Sequence, residues 1–533
     1  MAGEKWQLLI AMGSYVALIL LIGLYYARRA NASSNNFFIG GRAIGPWVTA
    51  FSAEASDMSG WLLMGLPGVA YWCGLSDAIW TAIGLAIGTY LNWLLVARRL
   101  RTYSALAGDS ITIPDFLSNR FKEKNRILMT TAALFILVFF TVYTASCFVA
   151  VGKLFNAMFG LRYLYMMLAG AGLVLFYVAI GGFLAESASD FMQAVVMIFA
   201  LFAVLAAAVP AAGGISRVAE NIRGIPGFFQ FFGIAQPLTV DGVQQVDAAG
   251  RPLFGRANPY GLLTILSTLS WGLGYFGMPH VLTRFMAIRR PAELDQSRKI
   301  GTTWCVLSLA AATAIGLTGR ALYPAALLTQ SAAENIFITL SRNLLPPLFA
   351  GIVMAGILAA TISSSDSYLL IATSAFAKNI FQGLLKKKAS DQEVLRVSRG
   401  MMLAIALIAV LIALDEHSVI FNVVSFAWAG FGATFGPVML FSLFWRRTTR
   451  SGALAGLFCG GAMVFVWKLL IRPAGGVWGV YELLPAFLLS SIAIACVSLL
   501  SRKPPEEIVG EFDRAAAAGR ILLGKNESQR NNL

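Results

Sequence analysis

Long apolar stretches dominate this chain, and polar residues are confined to short gaps between them. Stretches long enough to cross about 30 Å of hydrocarbon fall at 6–26, 43–72, 76–97, 127–157, 161–183, 188–212, 258–285, 300–322, 348–377, 397–415, 419–445, 451–470 and 478–501. This pattern predicts an all-α integral membrane protein of about thirteen transmembrane helices. Two of the stretches are interrupted. One carries Ser52-Ala53-Glu54-Ala55-Ser56-Asp57-Met58-Ser59-Gly60 and runs on to Gly65 and Pro67; the other reads Ser270-Trp271-Gly272-Leu273-Gly274-Tyr275-Phe276-Gly277-Met278-Pro279. Lipid cannot satisfy the backbone groups that a helix break frees, so such a break survives only where it lines a cavity or binds something. A pair of breaks at matching places in two halves of a chain points to the substrate site of a secondary transporter.

Setting aside the first helix and the last two leaves ten spans in two sets of five, 43–212 and 258–445, each opening with its broken helix. An odd number per set requires the sets to be inverted relative to one another. The remaining organisation is a first helix and inner loop over 1–42, a polar, Gly-rich outer loop over 213–257, two last helices over 446–501 and a tail over 502–533. A short surface helix is expected within 324–346. The first stretch lacks a small-residue cleavage site before Arg28-Arg29 and reads as a retained span.

Composition agrees: 58% of the 533 residues are hydrophobic and 13% charged, against about 25% charged in soluble domains. The net charge of +15 invites a nucleic-acid reading, but the basic residues sit in short loops and not on one face. With the N-terminus outside, thirty of the 41 Lys and Arg fall in inner loops and the tail, which places the N-terminus in the periplasm and the C-terminus in the cytoplasm. The five cysteines lie scattered in apolar runs and read as packed thiols. No nucleophile–base pair or metal cluster points to an enzyme, and no obligate protein partner or further cofactor is indicated.

Asp57 is the most expensive residue in the first break, since a carboxylate at a helix centre costs roughly 2.5–3.5 kcal/mol on insertion scales. With nothing cationic within a helical turn of it, a bound cation is the simple partner; capping of the second half-helix is the other reading. Glu54 poses the same question, as a functional acid or a residue facing an inner vestibule. Ser363, Ser364 and Ser367 form a ladder of hydroxyls in the ninth helix, hard oxygen ligands suited to Na⁺, or alternatively serines bonded back to upstream carbonyls. With carbonyls freed near Ala55 and Met58 they make a five-oxygen cage. Asp366 and Asp190 are further intramembrane acids. Trp271, Tyr275 and Phe276 sit among glycines, as packing aromatics or as a surface for a small apolar ring. His280 reads as a packed histidine, and His417 as a loop residue.

These stretches resemble the sodium:solute symporter family, and within it the bacterial members that carry proline. The likeness extends from Asn36-Phe37-Phe38-Ile39-Gly40-Gly41-Arg42 to the last helix. Its most specific parts are Ala55 to Gly68, Trp271 to Gly277 with Pro279-His280, Tyr177 to Leu184, and Ser425 to Pro437. The resemblance implies a LeuT-like core of five plus five inverted helices and a Na⁺-coupled importer of L-proline in a bacterial inner membrane. It implies a Na⁺ site from the carbonyls of Ala55, Met58 and Ala360 and the hydroxyls of Ser363 and Ser364, with Asp57 tuning sodium affinity and Arg42 at the inner gate. Proline would contact Tyr143, Trp271, Tyr275 and Pro279, with Ser59 and Gly60 nearby. The chain departs from the family pattern at Glu54, Met278 and Asp366, and Asp366 with Asp190, Ser363 and Ser367 is a candidate second cation site. The alternatives are Na⁺ symport of another small solute, such as pantothenate or a different amino acid, and a transporter-like input module of a membrane sensor.

Overall fold

A computed structural model describes residues 2–530, with side chains over 6–518. Ten helices among the described residues are long and apolar enough to cross a membrane. The first is α1 (Ala2–Ala30). The first interrupted stretch is α2 (Pro46–Gly60), a wide turn and α3 (Leu66–Cys73). Then come α4 (Leu75–Leu91), α5 (Arg98–Leu106), α6 (Ile127–Phe159) and α7 (Tyr163–Ala211). The second interrupted stretch is α8 (Leu262–Leu269), a tight 3₁₀ coil over Ser270–Gly277 and α9 (Pro279–Ala287). After it follow α10 (Leu294–Leu322), α11 (Ile336–Leu344), α12 (Pro347–Ser374), α13 (Asp391–Ile412) and α14 (Ile420–Phe444). The chain closes with α15 (Arg450–Val466), α16 (Leu483–Leu500) and α17 (Glu506–Arg530).

The sequence expectation separates 161–183 from 188–212, whereas the structure runs them together as α7 and turns a corner at Gly182. There φ is 58° and ψ is −171°, a backbone conformation essentially reserved for glycine. A Cβ at Gly182 would also lie 2.9 Å from the Phe37 ring. Dividing α7 at this corner and counting each interrupted stretch once puts a helical segment at every position expected from hydropathy.

Two helices, α12 and α14, are enclosed on nearly all sides, while α1, α13, α15 and α16 keep one face outward. Against the enclosed pair pack α6, α7 and the two broken helices. The second break is held by close backbone approach. A Cβ at Gly84 on α4 would lie 2.6 Å from the Leu269 carbonyl oxygen, and one at Gly88 would collide with the Gly272 backbone. Glycines four apart are how membrane helices let a neighbouring backbone come this near. Gly88→Ala is therefore expected to destabilise the protein by about 1–3 kcal/mol, as overpacking does. Thermal unfolding in detergent measures it, with Gly172→Ala, which faces open space, as the control that leaves the melting temperature unchanged.

The segment expected to hold a short surface helix is instead a plug. Ile336, Phe337 and Leu340 of α11 are buried, and Glu334 just before it is 1% exposed. Glu334 pairs with Lys153 of α6 at 2.8 Å and accepts the Ile420 and Phe421 amides at 3.0 Å each. A carboxylate at a helix N-terminus meets the positive end of the helix dipole, so one acid ties this hairpin to α6 and caps α14. The segment between α7 and α8 carries a helix, Ile215–Arg223, and strands that pair as two short antiparallel ribbons, Gly233–Ile234 with Asn258–Pro259, just past the expected loop end at 257, and Thr239–Val240 with Val243–Gln244.

Candidate functional site

The first break is narrow. Helical geometry holds through Met58, then Ser59 takes φ 47° and ψ −170°, strained for any residue with a side chain and tolerated where the surroundings over-determine it. The Ser59 hydroxyl accepts the Trp61 amide at 3.2 Å. Helix resumes through a wide turn over Trp61–Gly65, so Gly65 and Pro67 lie within regular structure and not in the break. Gly60 sits at a close approach, where a Cβ would lie 2.8 Å from that of Ala150.

Four of the five oxygens expected to hold an ion come together beside this break. The Ala55 carbonyl accepts from the Ser363 hydroxyl at 2.9 Å and from that of Ser364 at 3.4 Å. Ser363 Oγ is also 3.1 Å from the Ala360 carbonyl. The fifth, the Met58 carbonyl, accepts the Trp61 amide. All five residues are buried. Carbonyl and hydroxyl oxygens without thiolate or imidazole form a hard donor set, the kind that suits an alkali cation.

Asp57 has partners that sequence reasoning did not provide. Its Oδ2 accepts the Tyr275 hydroxyl at 2.8 Å, and its Oδ1 lies 3.3 Å from His280 Nε2. Tyr143 donates to the Asp57 carbonyl at 3.4 Å. His280, expected to be merely packed, is buried and in contact with the carboxylate. One aspartate thus joins the first break to the second, across more than two hundred residues of chain.

Of the expected substrate residues, Tyr143 and Tyr275 meet at Asp57 and Trp271 joins Tyr275 through Trp428, whereas Pro279 lines a cavity that none of these three enters. Tyr143 stacks on Tyr368 with ring centres 4.2 Å apart. Trp271 stacks on Trp61 at 5.6 Å and on Tyr481 at 5.3 Å, and its carbonyl accepts the Trp428 indole at 2.7 Å. Tyr275 meets the Trp428 ring edge-on at 5.1 Å. Pro279 opens α9 and lines a small cavity with Phe38, Ile113, Thr283 and Ile371. Tyr368, Trp61 and Trp428 escaped the sequence reading, because aromatic residues inside apolar runs carry no mark separating site from core.

Arg42 spans the chain between α1 and α2, α5 and α9. It donates to Ser104 Oγ at 3.2 Å and to the carbonyls of Met286 and Ser110 at 2.8 Å, and it pairs with Asp109 at 2.9 Å.

Of the two acids expected to hold a second cation, Asp190 already holds a guanidinium. Arg284, counted among inner-loop cations from the sequence, is fully buried in α9. It pairs with Glu186, and it donates to Asp190 Oδ2 at 3.3 Å, Ser367 Oγ at 2.7 Å and Ser52 Oγ at 3.0 Å. Ser52 bridges on to Asp190 at 2.7 Å. Asp366 accepts the Ser367 amide at 2.7 Å. Two carboxylates, Glu186 and Asp190, therefore share one guanidinium, and Glu186 Oε2, Asp190 Oδ1 and Asp366 Oδ2 are buried without a hydrogen-bond partner. Glu186 was missed, although it stands one helical turn before Asp190 and so on the same face. Glu54 accepts from the Trp93 indole at 3.1 Å and the Thr89 hydroxyl at 3.3 Å.

A model of the sodium:solute symporter family matches residues 37–460. The chain is 40% identical over 516 residues to a protein named sodium/proline symporter 2 of Staphylococcus saprophyticus, covering 96% of each. It is equally identical over 506 residues to a sodium/proline symporter of Staphylococcus aureus, covering 94% of each. Among solved structures it superposes on a Na⁺-coupled sialic acid symporter in a substrate-bound, outward-open state with a TM-score of 0.75, 17% identity and 94% and 99% coverage. MhsT in complex with L-phenylalanine gives 0.51 at 14% identity, with 85% and 97% coverage. These two likenesses are of fold, and the fold is LeuT-like.

Proposed function

This chain belongs to the sodium:solute symporter family, and on that premise we propose that it imports L-proline together with Na⁺ by alternating access. It is a multi-pass membrane protein, and we place its N-terminus in the periplasm and its C-terminus in the cytoplasm of a bacterial inner membrane. The two inverted sets are residues 43–212 and 258–445. The observation that carries the proposal is the contact between the Ala55 carbonyl and the Ser363 and Ser364 hydroxyls, beside a strained break. That contact joins α2 to α12, and it is made of oxygens only.

In the proposed cycle Na⁺ from outside sits among the oxygens of Ala55, Met58, Ala360, Ser363 and Ser364 and takes over the acceptors those hydroxyls now satisfy. The hold keeps α2 against α12, which positions Asp57 and, through it, Tyr275 and His280. Proline then packs its ring against Tyr143, Trp271, Tyr275 and Pro279, with Ser59 and Gly60 close by. Arg42 secures the inner end until the loaded carrier rocks inward. An ion favouring one form shifts the population by its differential affinity. One charge moved through 100 mV releases about 2.3 kcal/mol, enough for roughly fortyfold accumulation at about 1.4 kcal/mol per factor of ten.

Uptake of labelled proline into cells under Na⁺, Li⁺ and choline tests the proposal: uptake that is the same in choline would overturn it. Within it, Ser363→Ala with Ser364→Ala is expected to raise the sodium needed for half-maximal uptake by about tenfold or more, at roughly 1 kcal/mol for each oxygen lost. An unchanged sodium dependence would remove these serines from the site. For Asp190, Asp366 and Ser367, a charge-to-proline ratio above one in proteoliposomes assigns them a second coupled cation. A ratio of one leaves Arg284 as their counter-charge.

A further inference from the structure

A groove of about 320 Å³ lies where the helix Ile215–Arg223 meets the C-terminal ends of α7 and α10. Leu205 and Val209 of α7, Ala314 and Leu317 of α10, and Val218 and Ala219 of the short helix line it, and Thr318 is its one polar lining residue. The groove is continuous with the outside of the bundle. Val195, Phe199 and Phe202 are exposed, and they precede Leu205 at spacings of three and four residues, on the same face of α7. One apolar stripe therefore runs from the groove down the flank of α7.

Such a groove calls for an apolar occupant. Protein interiors hold few voids larger than a water, and apolar walls offer water none of the hydrogen bonds that hold it in a cavity. In a membrane-spanning chain the fluid beside such a stripe is hydrocarbon. A cation stands at the rim. Arg223 ends the short helix, and its guanidinium carbon lies 5.7 Å from the centre of the Phe229 ring, which lines the groove. Glu220, the one acid of this helix, pairs with Arg217 at 3.5 Å, so Arg223 has no carboxylate partner on its own element. Nearby in the same segment, Trp80 donates its indole N–H to the Phe231 carbonyl at 2.9 Å, and Trp gathers at membrane–water interfaces. Apolar depth, a cation and an interfacial ring thus meet at one end of the molecule.

We propose that this groove seats an acyl chain of one phospholipid, with its phosphodiester against Arg223 and the chain running past Leu205 toward Phe202. Two features select a phospholipid over other apolar fillings. An amphipathic helix in the interface buries its apolar face at the headgroup–acyl boundary, which sets a chain in the groove and a headgroup beside the polar face. A guanidinium is suited to phosphate oxygens. The lipid belongs to the outer leaflet on the orientation proposed above, and its binding is independent of what the protein transports.

Native mass spectrometry of the purified full-length protein tests this without any transport step. The probes are dipalmitoylphosphatidylglycerol, dipalmitoylglycerol, which keeps the chains and lacks the phosphate, and glycerophosphoglycerol, which keeps the headgroup and lacks the chains. The expected result is retention of one phosphatidylglycerol, about threefold to fivefold weaker retention of the diglyceride, and none of the chain-free headgroup. Ala219→Trp, which fills the groove, should weaken phosphatidylglycerol retention about tenfold. Should that variant fail to fold, Arg223→Gln serves: the side chain is exposed, and its loss should bring phosphatidylglycerol down to the retention of the diglyceride. Retention that either substitution leaves unchanged overturns the proposal, as does equal retention of the diglyceride in the parent protein. Binding of glycerophosphoglycerol overturns the acyl seat and assigns a soluble phosphate ester instead.

Discussion

Asp57→Asn is expected to raise the sodium concentration for half-maximal proline uptake by about tenfold to a hundredfold. The carboxylate accepts from Tyr275 at 2.8 Å and faces His280 at 3.3 Å. Hydrogen bonds to a charged group are worth roughly 1.5–3 kcal/mol each, and 1.4 kcal/mol is a factor of ten. Asparagine keeps the shape but loses the charge, and it turns one acceptor into a donor opposite a donor. The first break, the proposed ion site, then loses its fixed relation to the second, so on this account sodium binding no longer prepares the aromatic pocket. Tyr275→Phe removes one of these bonds and leaves the charge, so its sodium shift should be smaller than that of Asp57→Asn. Sodium titrations of uptake at constant ionic strength decide this, and unchanged half-saturation in Asp57→Asn would refute the coupling.

The second large effect falls on folding. Arg284→Leu leaves Glu186 and Asp190 buried without the guanidinium that both contact. Breaking a buried pair by removing one partner costs about 3–5 kcal/mol, a large part of the 5–15 kcal/mol that separates folded from unfolded proteins. Little monodisperse protein should survive extraction, as read by size exclusion and thermal unfolding. Glu186→Gln added to Arg284→Leu should recover part of the loss, because one of the stranded charges is gone. If Arg284→Leu alone is extracted and melts as the parent does, the cluster is not the structural centre that its burial implies.

Much of the architecture is legible in the apolar pattern, since crossing a bilayer forces long runs and sharp ends. Both breaks were marked by residues that hydrocarbon penalises, Asp57 and Ser59 in one and Gly272, Gly274 and Pro279 in the other. The serine ladder at Ser363 and Ser364 was legible for the same reason. What stayed hidden is pairing across the fold. Nothing near Asp57 in the chain announces His280 or Tyr275, because their meeting depends on how two inverted halves pack. Arg284 looked like a loop cation, standing five and six residues before Arg289 and Arg290, yet it lies inside α9. Its burial became visible only when Glu186 and Asp190 were placed opposite. Tyr368 and Trp428 were invisible for a different reason: an aromatic in an apolar helix reads the same whether it faces substrate or core. The tail showed charge in the sequence but not its fate as α17, whose Phe512 packs beside Tyr103.

The central claim is that sodium held between Ala55 and the two serines organises the proline pocket. Linkage makes it measurable without transport, because an ion that tightens proline binding must itself be tightened by proline to the same degree. Equilibrium binding of labelled proline to the purified protein, with Na⁺ replaced by choline, is the direct measurement. The account predicts at least tenfold tighter proline binding in Na⁺, and loss of that difference in the Ser363→Ala, Ser364→Ala protein. Equal proline affinity in Na⁺ and choline would contradict it.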